Sequence, residues 1–260
     1  MSDSLQPAAW GYNKPVDTEV AAKLLALNHQ FYQTMGENFS ATRLRLQPGV
    51  QRVLDTIPSD AHILDLGCGN GELARRLEEA GFTGQYTGLD NSQTLLDIAR
   101  NRTSDNPAYR FLLVDIADPG WDTGLETGSS ARFDIILAFS VLHHLPSSLT
   151  RLHVLRKVRR IIQPDGRFVH SEWQFLNSPR LRERILPWEE VNISPAQVDQ
   201  GDYLLDWRGG GYGLRYVHHF SEDELARLAE QASFSIEETY FSDGEQGNLG
   251  LYQTWLPRLT

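Results

Sequence analysis

Cysteine is almost absent: Cys68 is the single one in 260 residues. No disulfide can form within the chain, and a metal site built from cysteine thiolates is not expected. Basic residues are also short, 24 Lys and Arg against 34 Asp and Glu, which leaves a formal net charge of −10. A protein that grips nucleic acid by itself is expected to carry a strong basic face, and this balance argues against one. No apolar stretch is long enough to span a bilayer, and the polar start Met1-Ser2-Asp3-Ser4 does not resemble a secretion signal. The expectation is a soluble, cytoplasmic protein with no membrane partner. Internal repeats and low-complexity segments are missing as well.

What the chain does have is concentrated between Ile63 and Gly71, I-L-D-L-G-C-G-N-G, where an apolar run breaks into Asp65 and glycines at every second residue. The run predicts a strand of a parallel sheet, and Gly67, Gly69 and Gly71 let the backbone turn sharply and approach a ligand with no Cβ in the way. Cys68, inside the turn, reads as a small residue presenting its backbone. Glu72 to Ala80 has the composition of a helix. Strand, glycine turn and helix make the first crossover of a nucleotide-binding α/β domain, whose ligand lies beyond the carboxyl end of the strand. The dinucleotide fingerprint G-x-G-x-x-G is not met, because the third glycine comes one residue early and Asp65 stands two residues before the first. A carboxylate there opposes a phosphate and suits an ammonium or sulfonium charge, which favours S-adenosylmethionine over NAD.

Later strands each end in a candidate ligand group. Gln85 to Leu89 predicts a strand ending in Asp90, at the distance downstream where an acid grips ribose hydroxyls, with Asn91 beside it on the cofactor side. Phe111 to Val114 predicts a third, ending in Asp115, an acceptor for the adenine amine, and Ile116, a cover for the ring. Phe133 to Phe139 predicts a fourth, followed by Ser140 and Val141-Leu142-His143-His144-Leu145-Pro146. Arg167 to His170 predicts a fifth, after the turn Gln163-Pro164-Asp165-Gly166. Taken singly, each acid reads as well as a helix cap or a solvated loop. Behind one glycine turn, successive strand ends that each deliver an acid point to a single site.

From Ile63 to about Trp173, the order and spacing of these motifs resemble class I S-adenosylmethionine-dependent methyltransferases. The resemblance implies an α/β fold, a Rossmann-like seven-stranded mostly parallel sheet with helices on both faces and a terminal antiparallel hairpin. It implies S-adenosyl-L-methionine as cofactor, with the turn at Gly67, Cys68 and Gly69 on the methionine portion, Asp90 on the ribose and Asp115 facing the adenine. Phe139 and Ser140 then line the cofactor beside the reacting methyl group.

The chain is expected to be one domain of four parts: a helical cap over 1–58, the cofactor-binding core over 59–173, a lid insertion over 174–219, and a helix and β-hairpin over 220–260. In the cap, Val20, Leu24, Leu27, Phe31 and Met35 recur at helical spacing over Thr18 to Gly36, and Pro48 opens a second helix that runs to Thr56. Tyr32 and Arg43 are the cap residues expected to touch the cofactor, Arg43 by pairing with its carboxylate. A surface arginine and a core tyrosine are the plain alternative. Gln174 to Val217 follows no simple period, and a segment of that length in a compact domain reads as a functional lid. Its aromatic residues, with Trp173, Phe175, Trp188, Tyr203, Trp207 and Tyr212 foremost, are expected to wall an apolar acceptor pocket. Beyond the lid, Ser221 and Glu224 form a capping box for a helix to Ala232, and Ser235 to Phe241 and Leu249 to Trp255 predict the hairpin.

A second, narrower resemblance lies in the outer segments. Phe31-Tyr32, Phe39-Ser40-Ala41-Thr42-Arg43, His143-His144, Gly201 to Trp207 and Arg215-Tyr216-Val217-His218-His219-Phe220 are similar to the tRNA wobble-uridine carboxymethyl methyltransferases. That likeness implies esterification of a carboxymethyl group, with Arg215, Tyr216 and His218 near the acceptor, and a small zinc-binding activator protein as a partner of some members. The chain departs from the pattern at Gln47, where the family carries tryptophan, and over 174–200.

Methyl transfer is an in-line displacement that needs alignment above all. A carboxylate acceptor is ionised at neutral pH and needs a cation to hold it, for which Arg215 is the candidate. A hydroxyl or amine acceptor needs a base, for which His143 or His144 is placed. Three functions stay open: a methyltransferase of modified tRNA, a methyltransferase of a small metabolite, and a non-catalytic binder of the cofactor. Arg151, Arg156, Lys157, Arg159 and Arg160 cluster on one predicted helix, with Arg180, Arg182 and Arg184 in the lid. Leu149, Leu152, Leu155, Val158 and Ile162 give that helix a buried stripe, so its basic residues read as a solvated face.

Overall fold

The computed structural model describes residues 16–41, 45–125 and 132–258. Helices α1 (Thr18–Ala41) and α2 (Pro48–Leu54) precede strand β1 (His62–Leu66), followed by α3 (Glu72–Glu79), β2 (Gln85–Asp90), α4 (Gln93–Arg102) and β3 (Tyr109–Leu113). Then come β4 (Phe133–Phe139), α5 (Ser148–Ile161) and β5 (Ile162–Trp173). A short helix α6 (Pro179–Arg182) leads to β6 (Ile185–Leu186), β7 (Asp202–Trp207) and β8 (Gly213–His218). The chain closes with α7 (Glu222–Gln231) and the hairpin of β9 (Phe234–Ser242) and β10 (Gly250–Pro257).

Seven strands form one sheet in the order β3-β2-β1-β4-β5-β10-β9. β1 to β5 pair in parallel, and β10 runs antiparallel to both β5 and β9. This is the expected Rossmann-like sheet with its terminal hairpin. Successive residues of the central strands face opposite layers. Ile63, Ile135 and Leu137 pack with Leu73, Leu77 and Leu96 of α3 and α4, whereas Leu64, Ile136 and Ala138 pack with Val154 and Leu155 of α5 and Leu225 of α7. Because both faces are covered, these strands read as unbroken apolar runs, and each buried Leu or Ile contributes about 1.5–3 kcal/mol.

Two sequence expectations need correction. β5 begins at Ile162, not Arg167; the register jumps from Phe133↔Ile162 to Ile135↔Arg167, so Gln163 to Gly166 is an irregularity within the strand rather than a turn ahead of it. On α5 the buried stripe is Val154, Leu155, Val158 and Ile161, while Leu149 is 61% exposed.

The segment without a legible period holds a second sheet, antiparallel in the order β6-β7-β8. Its middle strand is apolar on both sides: Leu204 joins Val20 and Leu24 of α1, and Leu205 joins Phe175 and Val217. Two buried faces erase the alternation that marks a half-exposed strand. No helix among the described residues is long and apolar enough to cross a membrane.

Candidate active site

The strand order reverses between β1 and β4, and a cavity of about 270 Å³ opens beyond the carboxyl ends of the parallel strands at that point. An open α/β sheet binds its ligand there, because adjacent crossovers diverge to opposite faces and leave a crevice. Gly67, Gly69 and Gly71 all take left-handed backbone, φ +68°, +56° and +71°. At Gly71 a Cβ would also stand 2.9 Å from the Ala99 backbone, so this glycine sets how closely α3 and α4 approach. Asp90 stitches the turn to β2: its Oδ2 accepts the Gly69 N–H at 2.9 Å and its Oδ1 the Ser92 N–H at 2.9 Å.

Asp65 is 4% exposed and accepts the Tyr86 hydroxyl at 2.6 Å. Burial, opposed by that bond and reinforced by the Asp90 charge, pushes its carboxyl up to about 7. Burial raises Asp90 as well, against the backbone N–H groups that it accepts. Neither acid has a basic side chain paired with it among the described residues. Asp115 is exposed at the cavity and accepts the Ala117 N–H at 2.9 Å, and Ile116 is buried beside it. At the end of β4, Ser140 holds φ +60°, tied by its N–H to the Ser171 carbonyl at 2.9 Å. A non-glycine residue in that region is strained, and such strain gathers where a backbone must present itself to a ligand.

The far wall is built from α1, the turn at Leu142–His144 and β8. His144 Nδ1 lies 3.3 Å from the Tyr216 carbonyl and 3.4 Å from Asn28 Nδ2, and its Nε2 lies 2.8 Å from the Tyr32 hydroxyl. His143 Nδ1 lies 3.1 Å from Glu172 Oε2, and His170 Nδ1 3.0 Å from Oε1. Burial holds the His170 imidazole down to about 3 and lifts Glu172 well above the usual carboxylate range. Arg215 is 6% exposed, with its guanidinium 4.6 Å from the Trp173 ring, 5.4 Å from Trp207 and 5.5 Å from Phe31. Three aromatic faces around one cation hold it electrostatically and leave it few rotamers.

The cavity brings together Tyr32, Asp65, Gly67, Cys68, Gly69, Asp90, Asn91, Asp115, Ile116, Phe139, Ser140, His143 and Arg215. Arg43 lies outside the described residues. His218 is a different case. It is fully buried, with Nδ1 2.6 Å from Asp202 and Nε2 3.0 Å from Glu224, and it does not line the cavity. The expected capping box is accordingly only half made: Ser221 accepts the Glu224 N–H, but the Glu224 carboxylate is spent on His218. Of the aromatic residues expected to wall the pocket, Trp173 lines it, Trp207 reaches it through Arg215, and Tyr212 is exposed. Phe175 and Tyr203 pack together with Leu205 and Val217, and Trp188 packs against α1.

Asn28 and Ser171 also line the cavity and were missed. Asn28 stands four residues after Leu24, a polar residue on the buried stripe of α1, and that anomaly was the available signal. Ser171 lay past the expected end of β5.

A buried carboxylate and a half-buried one, neither with a basic partner among the described residues, a glycine turn that opens its backbone and an exposed acid beside a buried isoleucine suit a ligand that brings an amino-acid ammonium, ribose hydroxyls and an adenine. Phosphate does not meet these needs. Fold and site together define a Rossmann-like methyltransferase that uses S-adenosyl-L-methionine. Residues 39–239 match the methyltransferase domain family, and the chain belongs to it.

Among its relatives is the tRNA (carboxymethyluridine(34)-5-O)-methyltransferase of Schizosaccharomyces pombe, 27% identical over 222 residues, 80% of this chain and 88% of that protein. The mouse enzyme of the same description is 29% identical over 164 residues, 61% of this chain; the match spans 22% of that longer protein, about a fifth. In fold, the chain resembles the 1,6-didemethyltoxoflavin-N1-methyltransferase of Burkholderia thailandensis, solved with 1,6-didemethyltoxoflavin and S-adenosylhomocysteine bound. That match has a TM-score of 0.60 and 20% identity and covers 94% of each chain. A methyltransferase of Methanosarcina mazei gives a TM-score of 0.62 at 21% identity, covering 83% of this chain and 99% of that one.

Proposed function

We propose that the chain transfers a methyl group from S-adenosyl-L-methionine to a carboxylate, and that the carboxylate belongs to a carboxymethyl group on the wobble uridine of tRNA. The observation that carries the reading is Arg215, a buried guanidinium held among Trp173, Trp207 and Phe31 on the cavity wall across from the glycine turn. Guanidinium and carboxylate match as a planar pair, and a preset guanidinium orients the acceptor oxygen without loss of its own freedom. The likeness to the fission yeast enzyme supplies the uridine.

When bound, S-adenosyl-L-methionine supplies an electrophilic methyl group on a sulfonium. The chain's own residues do the rest by placement. Asp65 attracts the amino-acid end, Asp90 takes the ribose hydroxyls, Asp115 and Ile116 hold the adenine, and Phe139 and Ser140 shape the floor next to the acceptor. Residues 174–219 act as the lid that carries Arg215. No base is required, because the acceptor is ionised at neutral pH. His143, paired with Glu172, shapes the wall, and His218, clamped between Asp202 and Glu224, holds the lid sheet to α7.

The test is incubation of the purified protein with labelled S-adenosyl-L-methionine and tRNA carrying 5-carboxymethyluridine, followed by nucleoside mass spectrometry. A methyl ester on that nucleoside is the expected product; label that never enters RNA overturns the acceptor. The basic residues of α5 favour a second reading, a small carboxylic acid as acceptor. Arg151 is buried against Asp199, Lys157 and Arg160 both pair with Asp122, and Arg159 donates to the carbonyls of Ser233 and Arg258. Two carboxylates, Asp199 and Asp122, thus offset part of the charge of its five basic residues, and the helix offers a phosphate less than its formal charge. Under the tRNA reading, that deficit falls to a small partner protein, and the assay run with added cell extract distinguishes the two.

A further inference from the structure

We infer that Asn28 is a positioning residue for Arg215: its side-chain amide closes the outer edge of β8 and so sets where the guanidinium stands over the cavity. The inference rests on the reading of Arg215 as the acceptor's partner. In the smaller sheet β8 is an edge strand, and an edge strand presents backbone groups that have no ladder partner. Tyr216 is in register with Leu204, yet its own N–H and C=O both turn toward α1. Asn28 Oδ1 accepts that N–H at 2.8 Å, and Nδ2 donates to that carbonyl at 3.1 Å. One amide side chain does for Tyr216 what a neighbouring strand does inside a sheet.

The same Nδ2 donates to the His144 carbonyl at 3.3 Å. Four residues further along the same face of α1, the Tyr32 hydroxyl reaches His144 Nε2. α1 therefore grips β8 and the histidine turn together, each at the residue adjoining a cavity-facing side chain, Arg215 in one case and His143 in the other. Asn28 is 5% exposed on a stripe that otherwise carries Val20, Leu24 and Phe31. A buried amide in such a place is costly unless every group is bonded, and a leucine would fill the volume at no such risk. What leucine cannot do is fix the two backbones. Displacement of a holding group by about 1 Å is enough to slow an aligned displacement about 100-fold.

Asn28→Ala and Asn28→Asp are compared with the wild type by amide hydrogen exchange, by calorimetric titration with S-adenosylhomocysteine, and by methyl transfer to tRNA carrying 5-carboxymethyluridine. In Asn28→Ala the Tyr216 amide is expected to exchange about tenfold faster or more, with the Leu205 amide of β7 nearly unchanged. Turnover is expected to fall about tenfold or more, with S-adenosylhomocysteine affinity kept within about twofold. Asn28→Asp keeps the acceptor for the Tyr216 N–H and loses both donors, so its exchange stays slow while turnover still falls; it serves if the alanine variant does not fold. Unaltered exchange at Tyr216, or equal loss of turnover and affinity, overturns the inference. If the wild type leaves that tRNA unmethylated, the acceptor reading falls, and a crystal structure of Asn28→Ala decides this one: a guanidinium unmoved over Trp173 refutes it.

Discussion

Replacing Asp65 with asparagine should make the cofactor-free protein more stable at alkaline pH while weakening its hold on S-adenosyl-L-methionine. The folded-state value of about 7 lies above the ordinary 3.8, so between those two the folded protein keeps a proton that the unfolded chain has released. Stability therefore falls as pH rises through that window. At about 1.4 kcal/mol per pH unit, the gap corresponds to roughly 4 kcal/mol against the folded state above neutrality, a ceiling on what the substitution can recover. Asparagine can still accept the Tyr86 hydroxyl, so the bond at 2.6 Å is kept. Urea unfolding of both proteins at pH 5 and pH 8 measures the effect. The advantage of Asp65→Asn should be about 4 kcal/mol at most at pH 8 and less than half of that at pH 5, where only the lower part of the window from 3.8 to about 7 has been crossed. Calorimetry at pH 8 should show affinity for the sulfonium ligand reduced about tenfold or more, because the partner charge is gone. A variant no more stable than wild type at pH 8, or with an equal advantage at both pH values, would refute the reasoning.

Asp90→Ala should weaken S-adenosyl-L-methionine binding in calorimetry and, by leaving the Gly69 and Ser92 N–H groups without their acceptor, lower stability by about 1–3 kcal/mol in a denaturant titration. Undiminished affinity would remove the ribose assignment. Arg215→Lys should lose most turnover with S-adenosylhomocysteine affinity intact, since an ammonium neither stacks among three rings nor offers a planar fork; steady-state kinetics beside calorimetry shows whether the losses separate. Gly71→Ala meets the Ala99 backbone and forces a left-handed φ on alanine, so thermal unfolding should reveal a loss of about 1–3 kcal/mol.

The part of the cavity lined by strand ends was legible because its residues are local in sequence. Asp65 to Gly71 is one uninterrupted strand and turn, and Asp90, Asp115 and Ser140 each sit where an apolar run stops. The other half is assembled from distant segments. Asn28 and Tyr216 are joined across 188 positions, and nothing in either neighbourhood announces the bond. His218 was misplaced for a related reason: three residues after Arg215 in the chain, it faces Asp202 and Glu224 instead of the cavity, and burial between carboxylates leaves no mark in sequence. The second sheet escaped notice because Leu204 and Leu205 are both covered, so its middle strand has no alternation to read.

The smaller sheet enters the chain after β5 and leaves it before α7, so Arg215 and Trp207 arrive in one continuous insert, whereas the other two rings around the guanidinium, Trp173 and Phe31, come from β5 and α1, and Asp65 and Asp90 from the parent sheet. On the proposed reading, the acceptor is thereby held mostly by residues other than those that hold the donor. On that reading, an exchange of residues 174–219 between relatives would transplant acceptor preference only if positions 28, 31 and 173 travelled with it.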